Sequence, residues 1–130
     1  MAAPRILVIE DDDGARDALG CLLSEDGYTV RTASSGTAAL DCASEFQPDA
    51  IVCDYYLPDL DGLQVLRRLR ATGRHIFIIV VTAGRYDVGE GIALRREADV
   101  FLDKPIDLDR LRGALDRVRS APADPVRALS

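Results

Sequence analysis

The sequence predicts an α/β fold: one open, parallel, five-stranded sheet, doubly wound with helices on both faces as five successive strand–helix units. Three observations predict it. Short apolar runs alternate five times with segments of helical period. Several of those runs are apolar throughout, which suits strands covered on both faces. The 130 residues, 48% hydrophobic and 29% charged, suffice for one core in one globular domain without disulfide staples.

The chain opens with "RILVIEDDDGAR", in which apolar Ile6 to Ile9 predict a first strand over Arg5–Ile9, followed at once by four acids, Glu10 to Asp13. Behind them Ala15, Ala18, Leu19, Leu22 and Leu23 recur at helical spacing and predict a buried stripe, with Asp12 or Asp13 as N-cap and Gly27 at the stop. The second strand is expected over Tyr28–Thr32. Ser35 then caps a helix whose inner stripe is Ala38, Ala39, Cys42, Ala43 and Phe46. Ala50–Cys53 is the third strand. The third helix carries Leu63, Leu66 and Leu69 on one face and ends by Gly73, so Arg67, Arg68, Arg70 and Arg74 are expected to be solvated. Ile76–Val81 is the fourth strand. The helix after it, capped by Asp87, contains Gly89 and Gly91, each costing about 1 kcal/mol against alanine, so it is expected to be short or built to move. Val100–Leu102 is the fifth strand, and Asp107 caps a last helix with Leu108, Leu111, Leu115 and Val118 on one face. The domain is therefore assigned to residues 1–119. Residues 120–130, "SAPADPVRALS", have two prolines and no period, and read as a C-terminal tail or truncated linker.

Composition excludes several functions. A net charge of −6 argues against direct nucleic-acid binding, which needs a basic stripe. No signal peptide is visible and no run reaches the roughly 18 apolar residues of a spanning helix, so the expected location is the cytoplasm, away from the membrane. Cys21, Cys42 and Cys53 form no C-x-x-C pair and, with His75 as the only histidine, make a poor zinc set; they are expected to be reduced, buried thiols, and His75 a non-catalytic loop residue.

In an open parallel sheet ligands collect at the carboxyl ends of the strands, where this chain has Glu10 and Asp11, Asp54, Thr82 and Lys104. If the strand order is 2-1-3-4-5, the first and third strands lie about 4.8 Å apart and three carboxylates share one pocket. Their repulsion would keep at least one protonated unless a divalent cation intervenes, and an all-oxygen set suits magnesium, with manganese as a substitute. Asp12 and Asp13 have a blander role as cap and first-turn acids. Thr82, taken alone, is a strand-end hydroxyl satisfying a local turn.

The stretches "ILVIEDD", "DYYLPDLDG", "VVTAG" and "FLDKP", in this order and spacing, resemble the receiver domain of bacterial two-component response regulators over about residues 4–119. The resemblance implies a flavodoxin-like sheet of order 2-1-3-4-5. It also implies that Asp54 accepts a phosphoryl group from the phosphohistidine of a sensor histidine kinase or a histidine phosphotransfer protein. Glu10, Asp11, Asp54 and the Tyr56 backbone carbonyl would hold Mg2+, and Lys104 would supply the remaining positive charge. Thr82 would bind the new phosphoryl group and Phe101 would follow it inward. The Lys104–Pro105 bond would be cis. The fourth helix, fifth strand and fifth helix would form the switched surface for an effector protein or a homodimer. Such a domain catalyses its own phosphorylation and dephosphorylation and turns over no external substrate. One internal check needs no comparison: of sixteen basic residues only Lys104 is a lysine, where a slim, rotatable ammonium has to reach into a crowded cleft.

Some positions depart from the commoner pattern. Glu10 replaces aspartate, Phe101 stands where tyrosine is frequent and offers no hydroxyl, and Glu97 stands where glycine is frequent, which questions the turn before the fifth strand. Tyr56 is bulky and Gly84 offers no group to orient a water, which together predict slow loss of the phosphoryl group. A flavodoxin-type electron carrier would need a loop that welcomes phosphate where this chain has EDDDG. A haloacid-dehalogenase-type phosphohydrolase would need two aspartates flanking one residue after the first strand with a hydroxyl soon after, and usually a cap domain; neither the threonine-bearing motif nor the length is here. The alternative kept is a receiver-like interaction module that acts without phosphorylation, ranked lower because all five site positions are filled.

Overall fold

The computed structural model describes residues 3–84 and 88–120. Strand and helix alternate throughout: β1 (Arg5–Ile9), α1 (Asp13–Glu25), β2 (Thr29–Ala33), α2 (Gly36–Phe46), β3 (Ala50–Asp54), α3 (Gly62–Arg70), β4 (Phe77–Thr82), α4 (Val88–Glu97), β5 (Val100–Asp103) and α5 (Leu108–Ser120). The strands pair in parallel in the order β2-β1-β3-β4-β5, the flavodoxin-like topology.

The continuous apolar runs have a direct explanation, because alternate side chains of each central strand enter two different cores. Leu7, Ile9, Ile51, Cys53, Ile78 and Val80 meet α2, α3 and α4 through Ala39, Ala43, Val65, Leu66, Leu69 and Leu94. Ile6, Val8, Ala50, Val52, Ile79 and Val81 meet α1 and α5 through Leu23, Leu111, Ala114 and Leu115. Strand bounds differ from expectation by one residue. Tyr28 stays outside β2 because its N–H closes the end of α1 on the Leu23 carbonyl at 3.2 Å. At their carboxyl ends β3, β4 and β5 run one residue further, which keeps Asp54, Thr82 and Asp103 in the ladder.

Caps follow the sequence. The Asp12 carboxylate accepts from Ala15 N at 2.7 Å, and Ser35 Oγ from Ala38 N at 3.1 Å. Asp107 Oδ1 accepts from Asp109 N and Arg110 N at 3.0 and 3.3 Å, whereas Asp87 lies outside the described residues, as do residues 121–130 of the expected tail. Gly27 and Gly73 stop their helices with φ of 98° and 80°, and Gln47 ends α2 in the same left-handed region with φ 52°.

Several expected faces are corrected. The inner face of α1 is Arg16, Leu19, Gly20 and Leu23, while Ala15 and Ala18 are exposed. Ala38 is exposed in α2, and Leu108 lies off the buried face of α5, which uses Leu111, Ala114 and Leu115. Of the three cysteines only Cys53 is buried; Cys21 is exposed and Cys42 half-buried, all three as free thiols. Arg70 is not part of a solvated face: its guanidinium donates to the carbonyls of Ile76 and Glu97 at 2.9 and 3.0 Å and pairs with Asp99 at 3.2 Å, tying α3 to the ends of β4 and α4. The fourth helix is not short. It spans ten residues, with Gly91 and Leu94 buried. At Glu97 no left-handed turn is needed, because Ala98 N and Asp99 N bond to Leu94 O and Ile78 O, each at 2.8 Å, and lead straight into β5.

Candidate functional site

The register builds the site. Ile9 pairs with Cys53, so Glu10 and Asp54 leave neighbouring strands side by side; Asp54 pairs with Val81, Thr82 with Asp103, and Lys104 follows one residue on. Lys104 N donates to Thr82 O at 2.8 Å, and the Lys104–Pro105 peptide is cis. Lys104 Nζ lies 2.7 Å from Asp54 Oδ2 and 3.3 Å from Glu10 Oε1. The other Asp54 oxygen, Oδ1, accepts from Tyr56 N at 3.1 Å.

Two more contacts fix the segment after Asp54. Gly62 N donates to Tyr55 O at 2.7 Å, and a Cβ on Gly62 would stand 2.9 Å from Tyr55 Cα, so α3 starts this close to β3 only without a side chain there. Asp61 caps α3 through Gln64 N at 2.8 Å. Asp59 reaches across to α2, accepting from Gly36 N, Thr37 N and the Thr37 hydroxyl, and these bonds hold its carboxyl well below the usual carboxylate range. Nothing local in the sequence marks Asp59, whereas Asp61 before a helical run carries a legible cap signal.

Glu10 and Asp54 are buried at 8% and 7% exposure, above an apolar cavity of about 50 Å³ walled by Val8, Leu19, Val52, Val81 and Ile106. Asp11 is exposed at the rim, and one carboxylate oxygen from each of Glu10, Asp11 and Asp54 falls within 4.8 Å of the others. Burial, and then the Asp54 carboxylate, push the Glu10 carboxyl up to about 7 against the opposing pull of Lys104. Burial disfavours the Lys104 charge, yet Asp54 and Glu10 outweigh it and hold the ammonium above its usual range. Among the described residues Glu10 Oε2 is the buried side-chain oxygen with no hydrogen-bond partner. Three converging carboxylates, one with an orphaned buried oxygen, fit a small hard cation with oxygen ligands.

Thr82 is fully buried and its Oγ1 accepts from Gly84 N at 3.2 Å, the local-turn arrangement, with Gly84 at φ 82°. Phe101 is not in the acidic cluster. It pairs with Val80 in the sheet, on the face that also carries Thr82, and lies half-buried with the Arg95 guanidinium 4.8 Å from its ring centroid. Tyr56 is 42% exposed and packs edge-on against Tyr55 at 4.8 Å, while the Tyr55 hydroxyl donates to Glu90 on α4 at 2.9 Å. The sequence reading missed Tyr55, because its partner lies 35 residues away. His75 is exposed, just before β4 at the amino ends of the strands, opposite the acidic cluster.

This strand order, with acids after β1 and at the end of β3 and a lysine after β5, defines the receiver class of two-component signalling domains. The family model for the response regulator receiver domain matches residues 6–116, and the chain belongs to that family. It is 41% identical over 129 residues to response regulator MprA of Mycobacterium bovis, covering 97% of this chain and 56% of that protein. Against MprA of Mycobacterium sp. strain KMS the identity is 46% over 108 residues, covering 82% of this chain and 46% of that one. The chain thus spans about half the length of these curated relatives. Among solved structures it is similar to the N-terminal domain of an uncharacterized protein from Wolinella succinogenes, with a TM-score of 0.84, 31% identity and coverage of 90% of this chain and 94% of that one. The non-phosphorylated HemR receiver domain of Leptospira biflexa gives a TM-score of 0.81 at 28% identity, covering 92% and 96%. Among the described residues no helix is long and apolar enough to cross a membrane.

Proposed function

We propose that Asp54 accepts a phosphoryl group from the phosphohistidine of a sensor histidine kinase, or of a histidine phosphotransfer protein, in the cytoplasm, and that this switches the α4–β5–α5 surface toward an effector protein or a second copy of the chain. The observation that carries the reading is the Asp54 carboxylate itself: buried, held at Oδ1 by Tyr56 N and at Oδ2 by Lys104, with two further acids beside it. Such a group is aimed in advance, which lowers the entropic part of the barrier.

In the transfer an Asp54 oxygen forms a bond to phosphorus as the phosphorus–nitrogen bond of the donor histidine breaks, and the bonding pair stays on the imidazole. Glu10, Asp11, Asp54 and the Tyr56 carbonyl would hold Mg2+, which supplies charge neutralisation at the phosphoryl oxygens. Lys104, already on Asp54, follows the charge onto a phosphoryl oxygen. Thr82 then exchanges its contact with Gly84 N for a hydrogen bond donated to another, and Phe101 turns toward the space it leaves. Tyr56 stands two residues past the acceptor, where its ring hinders the hydrolytic water, and Gly84 has no side chain to orient one. The chain acts on itself rather than on an external substrate, and its partners are proteins rather than nucleic acid or membrane.

Incubation with Mg2+ and acetyl phosphate should add one phosphoryl mass that Asp54→Asn abolishes. An adduct that survives in Asp54→Asn would refute the acceptor assignment. Absence of any response of the wild type to phosphodonor and to beryllofluoride would favour an interaction module that needs no phosphorylation.

A further inference from the structure

We propose that Arg16 is a positioning residue for the metal-binding loop, clamping the Glu10 and Asp11 carbonyls so that the two carboxylates face Asp54. This rests on the reading of Glu10 and Asp11 as metal ligands.

The first observation is a polar residue on an apolar face. Arg16 stands one turn before Leu19 and Gly20 and two before Leu23, which are the inward positions of α1. Helical period calls for an apolar residue there. Instead a guanidinium occupies it, with only 16% of the side chain exposed.

Its contacts explain the choice. Nη1 donates to Glu10 O at 3.1 Å and, more weakly, to Asp11 O at 3.5 Å, while Nη2 donates to Asp13 Oδ1 at 2.5 Å. The ladder of β1 ends at Ile9, so the Glu10 and Asp11 carbonyls lie past the strand pairing. A peptide group is planar, so fixing a carbonyl direction constrains the backbone torsions that set the Cα–Cβ directions on either side of it. Arg16 therefore holds the backbone from which the two carboxylate side chains leave.

Charge adds a second reason. Lys104 sits on the carboxylate oxygens themselves, whereas Arg16 brings its positive charge to the same loop through backbone carbonyls. It offsets repulsion among the acids and leaves their oxygens open to a cation. The task needs a rigid planar fork that reaches a carbonyl and a carboxylate at once, which an ammonium does not provide. Asp13, 86% exposed, adds little stability but fixes the rotation of the fork.

The test is calorimetric Mg2+ titration of the whole chain as wild type, Arg16→Met, Arg16→Lys and Asp11→Ala, with metal-free thermal unfolding of each. Both Arg16 variants should bind Mg2+ about tenfold more weakly, as expected for a group that orients a ligand, while their metal-free unfolding changes little because the aliphatic stem is retained. Unchanged or tighter binding by Arg16→Met would overturn the proposal, since loss of charge alone favours a cation. Full recovery in Arg16→Lys would overturn it too, by showing that charge suffices. Asp11→Ala separates the claims: if it loses Mg2+ while Arg16→Met does not, only the clamp fails; if it binds normally, the ligand assignment fails and the clamp with it.

Discussion

Metal-free protein should lose stability as pH rises from about 5 to 8, and Glu10→Gln should remove that loss. Burial raises the Glu10 carboxyl from its ordinary 4.5, and Asp54 raises it further, to about 7 in spite of Lys104. A raised carboxyl means that the folded state holds the proton more tightly than the unfolded chain. The stabilising contribution is therefore fully present below pH 4.5 and is lost as pH climbs through 7. At 1.36 kcal/mol per pH unit the loss by pH 8 is on the order of 3 kcal/mol, a large share of the 5–15 kcal/mol typical of a domain. For a chain of this size it corresponds to about 10 °C in Tm. The side chain is only 11% exposed, so solvent screening removes little of it. Urea unfolding in EDTA between pH 5 and 8.5 measures the effect. Glu10→Gln, neutral throughout and close in shape, should give a flat profile and exceed the wild type at pH 8. A flat wild-type profile, or equal slopes in the two proteins, would refute the reasoning.

Two further outcomes are expected. Asp12→Ala should cost about 0.5–2 kcal/mol of stability through loss of the bond to Ala15 N, whereas Asp13→Ala, which loses one exposed ion pair, should stay within about 0.5 kcal/mol; denaturant unfolding of both in Mg2+ decides whether the cap was placed correctly. Tyr56→Asn should speed decay of the phosphorylated form, about tenfold if the ring raises the hydrolysis barrier by roughly 1.4 kcal/mol, with Mg2+ affinity unchanged. Following the adduct by mass after removal of phosphodonor measures it, and equal lifetimes would show that Tyr56 does not gate the water.

The sequence carried the sheet and the strand-end residues well because both are written locally. A strand buried on two faces has to be apolar throughout, and whatever follows such a run stands at the edge of the sheet. Glu10, Asp11, Asp54, Thr82 and Lys104 were legible for that reason. Helix orientation was less so. Period establishes that α1 has an inner stripe, but with alanines on one flank and an arginine able to fold its stem inward, it points to Ala15 and Ala18, whereas the stripe runs through Arg16 and Gly20. Leu108 misled in the same way, since it belongs to the first turn of α5, ahead of the buried Leu111, Ala114 and Leu115. Links between distant segments had no local signature at all. Asp59 finds Thr37 across 22 residues, and Arg70 finds Asp99 across 29.

The acidic run itself shows why a charge cluster in a sequence need not be one in the fold. Glu10 continues β1 and turns its carboxylate inward beside Asp54. Asp11 follows at the exposed rim, Asp12 has to be the residue before the helix in order to cap it, and Asp13 stands at the positive end of α1 with Arg16 beside it. Four requirements, each local, fall on adjacent positions where a strand passes into a helix. Only one of the four acids is buried, and its burial is what makes the site uneasy without a cation: Lys104 is shared between Asp54 at 2.7 Å and Glu10 at 3.3 Å, and the second Glu10 oxygen has no partner. One ammonium cannot satisfy two buried carboxylates, so burial beside Asp54 favours a proton on Glu10. At the proposed metal site a cation would displace that proton, so the Mg2+ affinity should rise with pH through Glu10.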